Sequence, residues 1–237
     1  MTTPYSVRSM VYDDHVRRLW RHRGTTLPTP RRGPRQQLDL DELLAAGIEI
    51  ADDRGLAAVS TRSIAARFGK TPMALYPYVG TKENLLALMQ DQASALPSWP
   101  DPGPDLAADL QAWALALFAL YLRHPWLASR PWSQATQGPN EQDWLERLLQ
   151  IFQRWKVRNP AAITILYATV RSCAETAAAY ETIDPAQWLA VHNQLPDLRE
   201  RYPLSTSLEP VSPDWREAPR AAVIKAVEVL ARGMSLR

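Results

Sequence analysis

The chain of 237 residues lacks most features that mark secreted, membrane-spanning and catalytic proteins. Its single cysteine, Cys173, excludes an intramolecular disulfide; on a helical stretch that thiol reads first as a small buried side chain and second as a redox sensor. No run of about eighteen apolar residues is free of charge, so no membrane span is expected. No apolar stretch near the N-terminus has the pattern of a secretory signal, and the expected address is cytoplasmic. The four histidines, His15, His22, His124 and His192, are dispersed and offer neither metal-ligand spacing nor a triad. There is no glycine-rich phosphate loop and no nucleophile elbow. No enzyme, metal or cofactor is expected on these grounds, although a helical enzyme built on unlinked carboxylates would leave no such signature. Period-two alternation of strand length and internal repeats are also missing. What is left is an all-α chain.

Charge is unevenly placed. The formal net charge is only +2, yet residues 1–38 hold eight arginines against Asp13 and Asp14, so this arm carries +6 and the remainder −4. Its end, Thr29-Pro-Arg-Arg-Gly-Pro-Arg-Gln-Gln, is rich in proline and glycine and is expected to be extended. Arg31, Arg32 and Arg35 on such a segment suit release of counterions from DNA phosphates or insertion into a narrow minor groove. The same composition also describes a solvated tail. Tyr12–Arg23 can form a short helix around Val16, Leu19 and Trp20.

The most informative stretch runs from Ser60 to Lys82. Ser60 can cap a helix whose inward face carries Ile64, Ala65 and Phe68. Gly69 stands where a helix stop requires a left-handed residue. Thr71 is then expected to cap a second helix with Pro72 at its first position, where the missing N–H costs nothing. Two helices joined by so short a turn make a helix-turn-helix, whose second helix enters the major groove of DNA. Pro77 is expected to end or distort that helix, leaving Pro72 to about Tyr76. Thr71, Pro72, Met73, Tyr76 and Tyr78 would be outward, with Leu75 and Val79 inward. Arg62 can reach a guanine with both guanidinium branches, and Lys82 opens a helix whose N-terminal N–H groups also favour phosphate.

With its flanks, from Leu38 to Met89, this stretch resembles the tetracycline-repressor (TetR) family of bacterial transcriptional regulators. The resemblance rests on Asp39-Leu-Asp-Glu-Leu-Leu-Ala-Ala-Gly-Ile-Glu-Ile-Ala, Gly55-Leu-Ala-Ala-Val-Ser-Thr-Arg, Ile64-Ala-Ala-Arg-Phe-Gly, Ala74-Leu-Tyr-Pro-Tyr-Val and Thr81-Lys-Glu-Asn-Leu-Leu, in that order. It implies DNA contacts at Thr61, Arg62, Pro72, Met73, Ala74, Tyr76, Tyr78 and Lys82. Pro77 departs from the family pattern, where an aromatic or polar residue is common. Gln36 and Gln37 are weaker candidates for the backbone.

Beyond this part, Leu96–Asp105 holds four prolines and a glycine in ten residues, a natural boundary. The expected organisation is a basic arm (1–38), a helix-turn-helix domain (39–95) and a helical ligand-binding and dimerisation domain (104–237). Helix patterns in the last fall at about Leu106–Arg123, Asn140–Trp155, Ala161–Thr182, Pro185–Leu195 and Trp215–Arg232. Trp113–Trp126, ending Leu122-Arg-His-Pro-Trp, resembles the C-terminal domain of tetracycline-repressor-like members. Aromatic residues are dense here, and with polar neighbours they suit an amphipathic aromatic effector. The candidates are Trp113, Tyr121, His124, Trp126, Trp132, Tyr167, Arg171, Glu175 and Trp188, with Gln134, His192 and Asn193 as further polar groups. Individually the aromatics read as core, and Arg171 with Glu175, four apart, reads equally as an intrahelical ion pair. By the resemblance, helices Ala161–Thr182 and Trp215–Arg232 form a four-helix interface with a second copy. The resemblance thus implies a dimeric repressor on palindromic DNA, released by a small hydrophobic or aromatic effector. The alternative is a DNA-binding regulator without an effector.

Overall fold

The computed structural model describes residues 14–25, 38–99, 101–130, 136–180, 197–207, 211–212 and 214–235. Among the described residues every regular element is helical and none is a strand. A short α1 covers residues 14–19. It is followed by α2 (Leu40–Arg54), α3 (Thr61–Arg67), α4 (Tyr76–Val79), α5 (Lys82–Ala93), α6 (Leu106–Arg123), α7 (Pro125–Ala128) and α8 (Pro139–Arg154). Then come α9 (Ala161–Tyr180), α10 (Leu198–Arg201), α11 (Pro203–Thr206) and α12 (Ala218–Ser235). The expected helix at Pro185–Leu195 lies outside the described residues. The last helix starts three residues later than its pattern, because Trp215 belongs to a turn closed by Ala218 N–H onto its carbonyl at 3.2 Å.

The helices form two compact units that interleave along the chain: residues 1–101 with 123–154, and 102–122 with 155–237. The first change of unit falls inside the proline-rich stretch. In the first unit Leu43, Leu44 and Ile50 of α2, Ile64 and Ala65 of α3, Leu75 and Val79, and Leu85 and Leu88 of α5 are all fully buried. Their helical spacing is what packs α2, α3 and α5 into a trihelical block.

The second unit holds α6, α9 and α12; α9 and α12 pack against each other, and Val170, Ala174, Val223 and Val227 on them are each at most 1% exposed. The α6 helix is long and apolar enough, at a mean hydropathy of 1.3, to meet the composition of a membrane-crossing segment. Half of it is buried inside the protein, however. Its Asp109 is buried and accepts hydrogen bonds from Gly103 N–H (2.6 Å) and Trp155 Nε1 (2.7 Å). That is the pattern of a core helix, whose one buried charge is hydrogen-bonded.

Candidate DNA-reading surface and second-unit core

Local chemistry sets the reading turn. Ser60 caps α3 through a reciprocal pair: Ser63 N–H donates to Ser60 Oγ (3.0 Å) and Ser60 N–H to Ser63 Oγ (2.9 Å). Gly69, at φ +62°, turns the chain out of α3, a conformation a side chain would resist. Thr71 makes no side-chain cap, contrary to the expectation; its carbonyl instead accepts Ala74 N–H in a 3-10 turn over Pro72–Ala74. The second correction concerns Pro77. The helix does not stop there: a fresh turn, α4, begins at Tyr76, and Pro77 falls at its second position, where an N–H has no helical acceptor to lose. Thr81 then caps α5, accepting from Asn84 N–H at 3.1 Å.

This build presents one polar-apolar face. Leu75 and Val79 are fully buried, whereas Met73 is 72% and Tyr76 43% exposed. Arg62, Thr71 and Lys82 are exposed beside them; Thr61, Pro72, Ala74 and Tyr78 are half-buried. The Tyr78 hydroxyl turns back to accept Leu38 N–H at 3.4 Å, tying the end of the basic arm to the reading turn. An apolar side chain as open to water as that of Met73 gains from a partner that covers it, and thymine methyls are suitable covers. Arg31, Arg32, Arg35, Gln36 and Gln37 lie outside the described residues.

The aromatic candidates separate into two groups. In the second unit Trp113 and Tyr167 meet edge to face with ring centroids 4.9 Å apart, and both are buried, as is Tyr121. Arg171 stands one turn beyond Tyr167, with its Nε buried and without a hydrogen-bond partner among the described residues; Glu175 is exposed. Cys173 is half-buried, and burial pushes its thiol up from the ordinary value, which suits the inert reading. His124 and Trp126 are elsewhere. Both bind Asp52 at the end of α2, within the first unit: His124 Nδ1 at 2.9 Å and Trp126 Nε1 at 2.8 Å from the same Oδ1. Trp132, Trp188, Gln134, His192 and Asn193 lie outside the described residues.

Three acidic side chains that the sequence does not single out organise the first unit. Asp52 is one. Asp41 accepts Arg21 Nε at 2.9 Å and also pairs with His22. Burial alone would raise the Asp41 carboxyl, but the hydrogen bonds and charges of Arg21 and His22 hold it below its ordinary value. Asp91, 3% exposed, stands at the start of α8 and accepts Asn140 N–H (3.0 Å) and Asn140 Nδ2 (3.2 Å). Gly138 passes so near that a Cβ there would lie 2.1 Å from Asp91 Oδ1. Burial pushes this carboxyl up to about 6, helped by the charge of Glu141 and opposed by the amides of Glu141 and Asn140 and by the Arg21 charge.

Comparison with known proteins gives consistent matches. Residues 43–89 match the family model described as bacterial regulatory proteins, tetR family, and residues 99–213 match the tetracyclin repressor-like C-terminal domain. The HTH-type transcriptional repressor DrrR1 of Streptomyces coeruleorubidus is 36% identical over 143 residues, covering 58% of this chain and 52% of that protein. An HTH-type transcriptional regulator of Saccharopolyspora erythraea is 31% identical over 104 residues, 44% of each chain. The chain thus spans about half the length of the curated relatives it matches. Among solved structures, the Streptomyces coelicolor TetR family protein ActR in complex with actinorhodin superposes with a TM-score of 0.69 at 22% identity, covering 84% of this chain and 98% of that one. Apo ActR superposes with a TM-score of 0.61 at 21% identity, covering 84% and 97%. These two likenesses concern the fold.

Proposed function

Because the chain belongs to the TetR family of bacterial transcriptional regulators, we propose that it is a repressor that binds a palindromic operator as a dimer and is released by a small aromatic effector. The observation that carries DNA reading is the face just described: Met73, Tyr76, Arg62 and Lys82 outward on a turn whose Leu75 and Val79 are locked inside. Arg62 reads a base, Met73 and Tyr76 make apolar and hydroxyl contacts, and Lys82 at the head of α5 binds phosphate. Arg31, Arg32 and Arg35 add sequence-blind affinity.

Two recognition turns one DNA turn apart require a second copy. On α9 the outward side chains include Ile165 (44% exposed), Ala168, Ser172 and Ala179, at helical spacing; on α12 Val229 is 68% exposed beside half-buried Ala222 and Ala226. Such small and apolar stripes support a four-helix interface through these helices. Val170 and Ala174 of α9 are buried within the one chain, at 1% exposure each. The effector site is assigned to the second unit around Trp113, Tyr121, Tyr167, Arg171 and Glu175. That ActR is solved in complex with actinorhodin lends support to the binding of a small-molecule effector. To release DNA the effector must favour the DNA-incompetent state, typically by about 1–3 kcal/mol.

Selection of bound fragments from genomic DNA at two salt concentrations tests this reading. A palindrome with half-sites one helical turn apart is the expected result. Binding that is salt-sensitive but blind to sequence would leave the basic arm as the DNA element and overturn the operator reading.

A further inference from the structure

The segment that precedes the helix-turn-helix carries more contacts than a leader needs. Leu19 of α1 is 3% exposed, so the segment is seated in the first unit rather than draped on it. Arg18 Nη2 donates to the Pro77 carbonyl at 3.3 Å, and its Nη1 stands 3.7 Å from the point where a Cβ on Gly80 would lie. The guanidinium therefore caps the C-terminal end of α4, where a cation meets the unsatisfied carbonyls of the reading turn. Arg21 fixes Arg18 from behind: its Nη1 donates to the Arg18 carbonyl at 2.8 Å. Arg21 itself is 8% exposed and spans Asp41 of α2 and Gln92 of α5, the latter at 2.8 Å. Arg23 closes the run on Asp143 of α8. Pro77, Arg18, Arg21, Asp41 and Gln92 thus form one connected brace behind the reading turn, and the Arg23–Asp143 pair anchors the same segment two residues further on.

Resting on the DNA-reading function above, we infer that residues 14–23 are a positioning element for base recognition and that Arg18 is its working end. The physical case is that α4 is a single turn with Leu75 and Val79 as its inward anchors. A turn this short has too few internal hydrogen bonds to hold its own pose. The directional bond from Arg18 to the Pro77 carbonyl supplies what is missing, and Tyr76 and Tyr78 lie on the two sides of the bonded Pro77. The brace also holds the chain close to the reading turn on both flanks of the arginine-rich stretch: by residues 14–23 before it and by Leu38 on the Tyr78 hydroxyl after it.

The test uses the full chain and a randomised DNA library, with wild type, Arg18→Ala and Arg18→Lys compared. Arg18→Ala is expected to bind the wild-type operator about tenfold more weakly, the equivalent of one charge-assisted hydrogen bond. Its salt slope is expected to stay unchanged, and its base preference to flatten at the positions read by Met73–Tyr78. Arg18→Lys keeps the charge without the fork and is expected to fall between the two. A salt slope reduced by about one with base preference intact would make Arg18 a phosphate ligand and overturn the inference. Unchanged affinity and preference would overturn it equally. If the wild type itself selects no site, the operator reading fails and this inference falls with it, a pattern distinct from the other two. Should Arg18→Ala fail to fold, Arg23→Ala releases the far anchor of the segment without touching the reading turn and is read in the same way.

Discussion

The two units of this chain are held by different kinds of interaction. The first is tied by acids that each hold two or more donors: Asp41 on Arg21 and His22, Asp52 on His124 and Trp126, Asp91 on Asn140 and Glu141. The described part of the second has one such acid, Asp109 on Gly103 and Trp155, and otherwise rests on apolar burial, with Trp113 against Tyr167 and with Val170 and Ala174 buried on α9. Hydrogen bonds are directional, so these acids restrict the relative poses of the helices that carry the reading turn. Apolar contact is not directional, so an aromatic core can repack around a guest of similar chemistry at modest cost. The difference matches the division of labour proposed above: rigid where bases are read, adaptable where an effector is to be received.

The largest effect that bears on this contrast is a void in the second unit. Trp113→Ala removes a fully buried indole and its edge-to-face partner, and is expected to cost about 3–5 kcal/mol in chemical denaturation. A loss below about 1 kcal/mol would mean that the cavity lets the core collapse or is already partly open. The corresponding experiment in the first unit concerns Asp91. Its folded-state carboxyl titrates at about 6 against an ordinary 3.8, so the folded protein holds that proton more tightly than the unfolded chain. The stability from this group is complete below about pH 4 and is lost as pH rises through 6. A displacement of that size corresponds to about 3 kcal/mol. Asp91→Asn keeps an acceptor for the α8 amides without the charge. It is expected to be more stable than wild type by about 2 kcal/mol at about pH 7.5, and to lack the slope between about pH 4 and 6. An unaltered slope in denaturation measured across that range would place the titrating group elsewhere.

The sequence and the structure agree where a feature is local. Ser60, Thr81 and Gly69 are caps and a stop because of chemistry within three residues, and each is legible from spacing alone. Leu75 and Val79 are readable as an inward face for the same reason. Pro77 misleads because proline carries two meanings: it ends a helix from the interior but is at ease in a first turn, and the restart at Tyr76 depends on what Leu75 packs against. Asp52, Asp91 and Asp109 escape a sequence reading because each has a side-chain or backbone donor 46 to 74 residues away, with only Asp109 also bound locally, by Gly103 N–H. One signal is available: Asp52 and Asp53 lie in the last turn of α2, where the helix dipole disfavours an acid, so an unseen donor is called for. His124 and Trp126 group with the effector candidates on sequence because they end the α6 pattern, and only the tertiary contact with α2 assigns them to Asp52.

The remaining predictions divide the reading surface itself. Arg62→Ala is expected to weaken specific binding by about 1–3 kcal/mol and to relax one base position, because an exposed guanidinium at the start of α3 is suited to a guanine edge. An unchanged selection profile would remove Arg62 from base reading. Lys82 makes the smaller and more uniform contribution. Its ammonium is a compact charge at the head of α5, whose first N–H groups point the same way, so it attracts any phosphate regardless of the base beside it. Lys82→Ala is therefore expected to weaken operator and scrambled DNA by the same factor and to lower the salt slope by about one. Thr81 still caps the helix in that variant, so stability is expected to hold. Equal losses on both DNAs with a lower slope would separate gripping from reading on one turn; a loss confined to the operator would make Lys82 a base contact and remove the division.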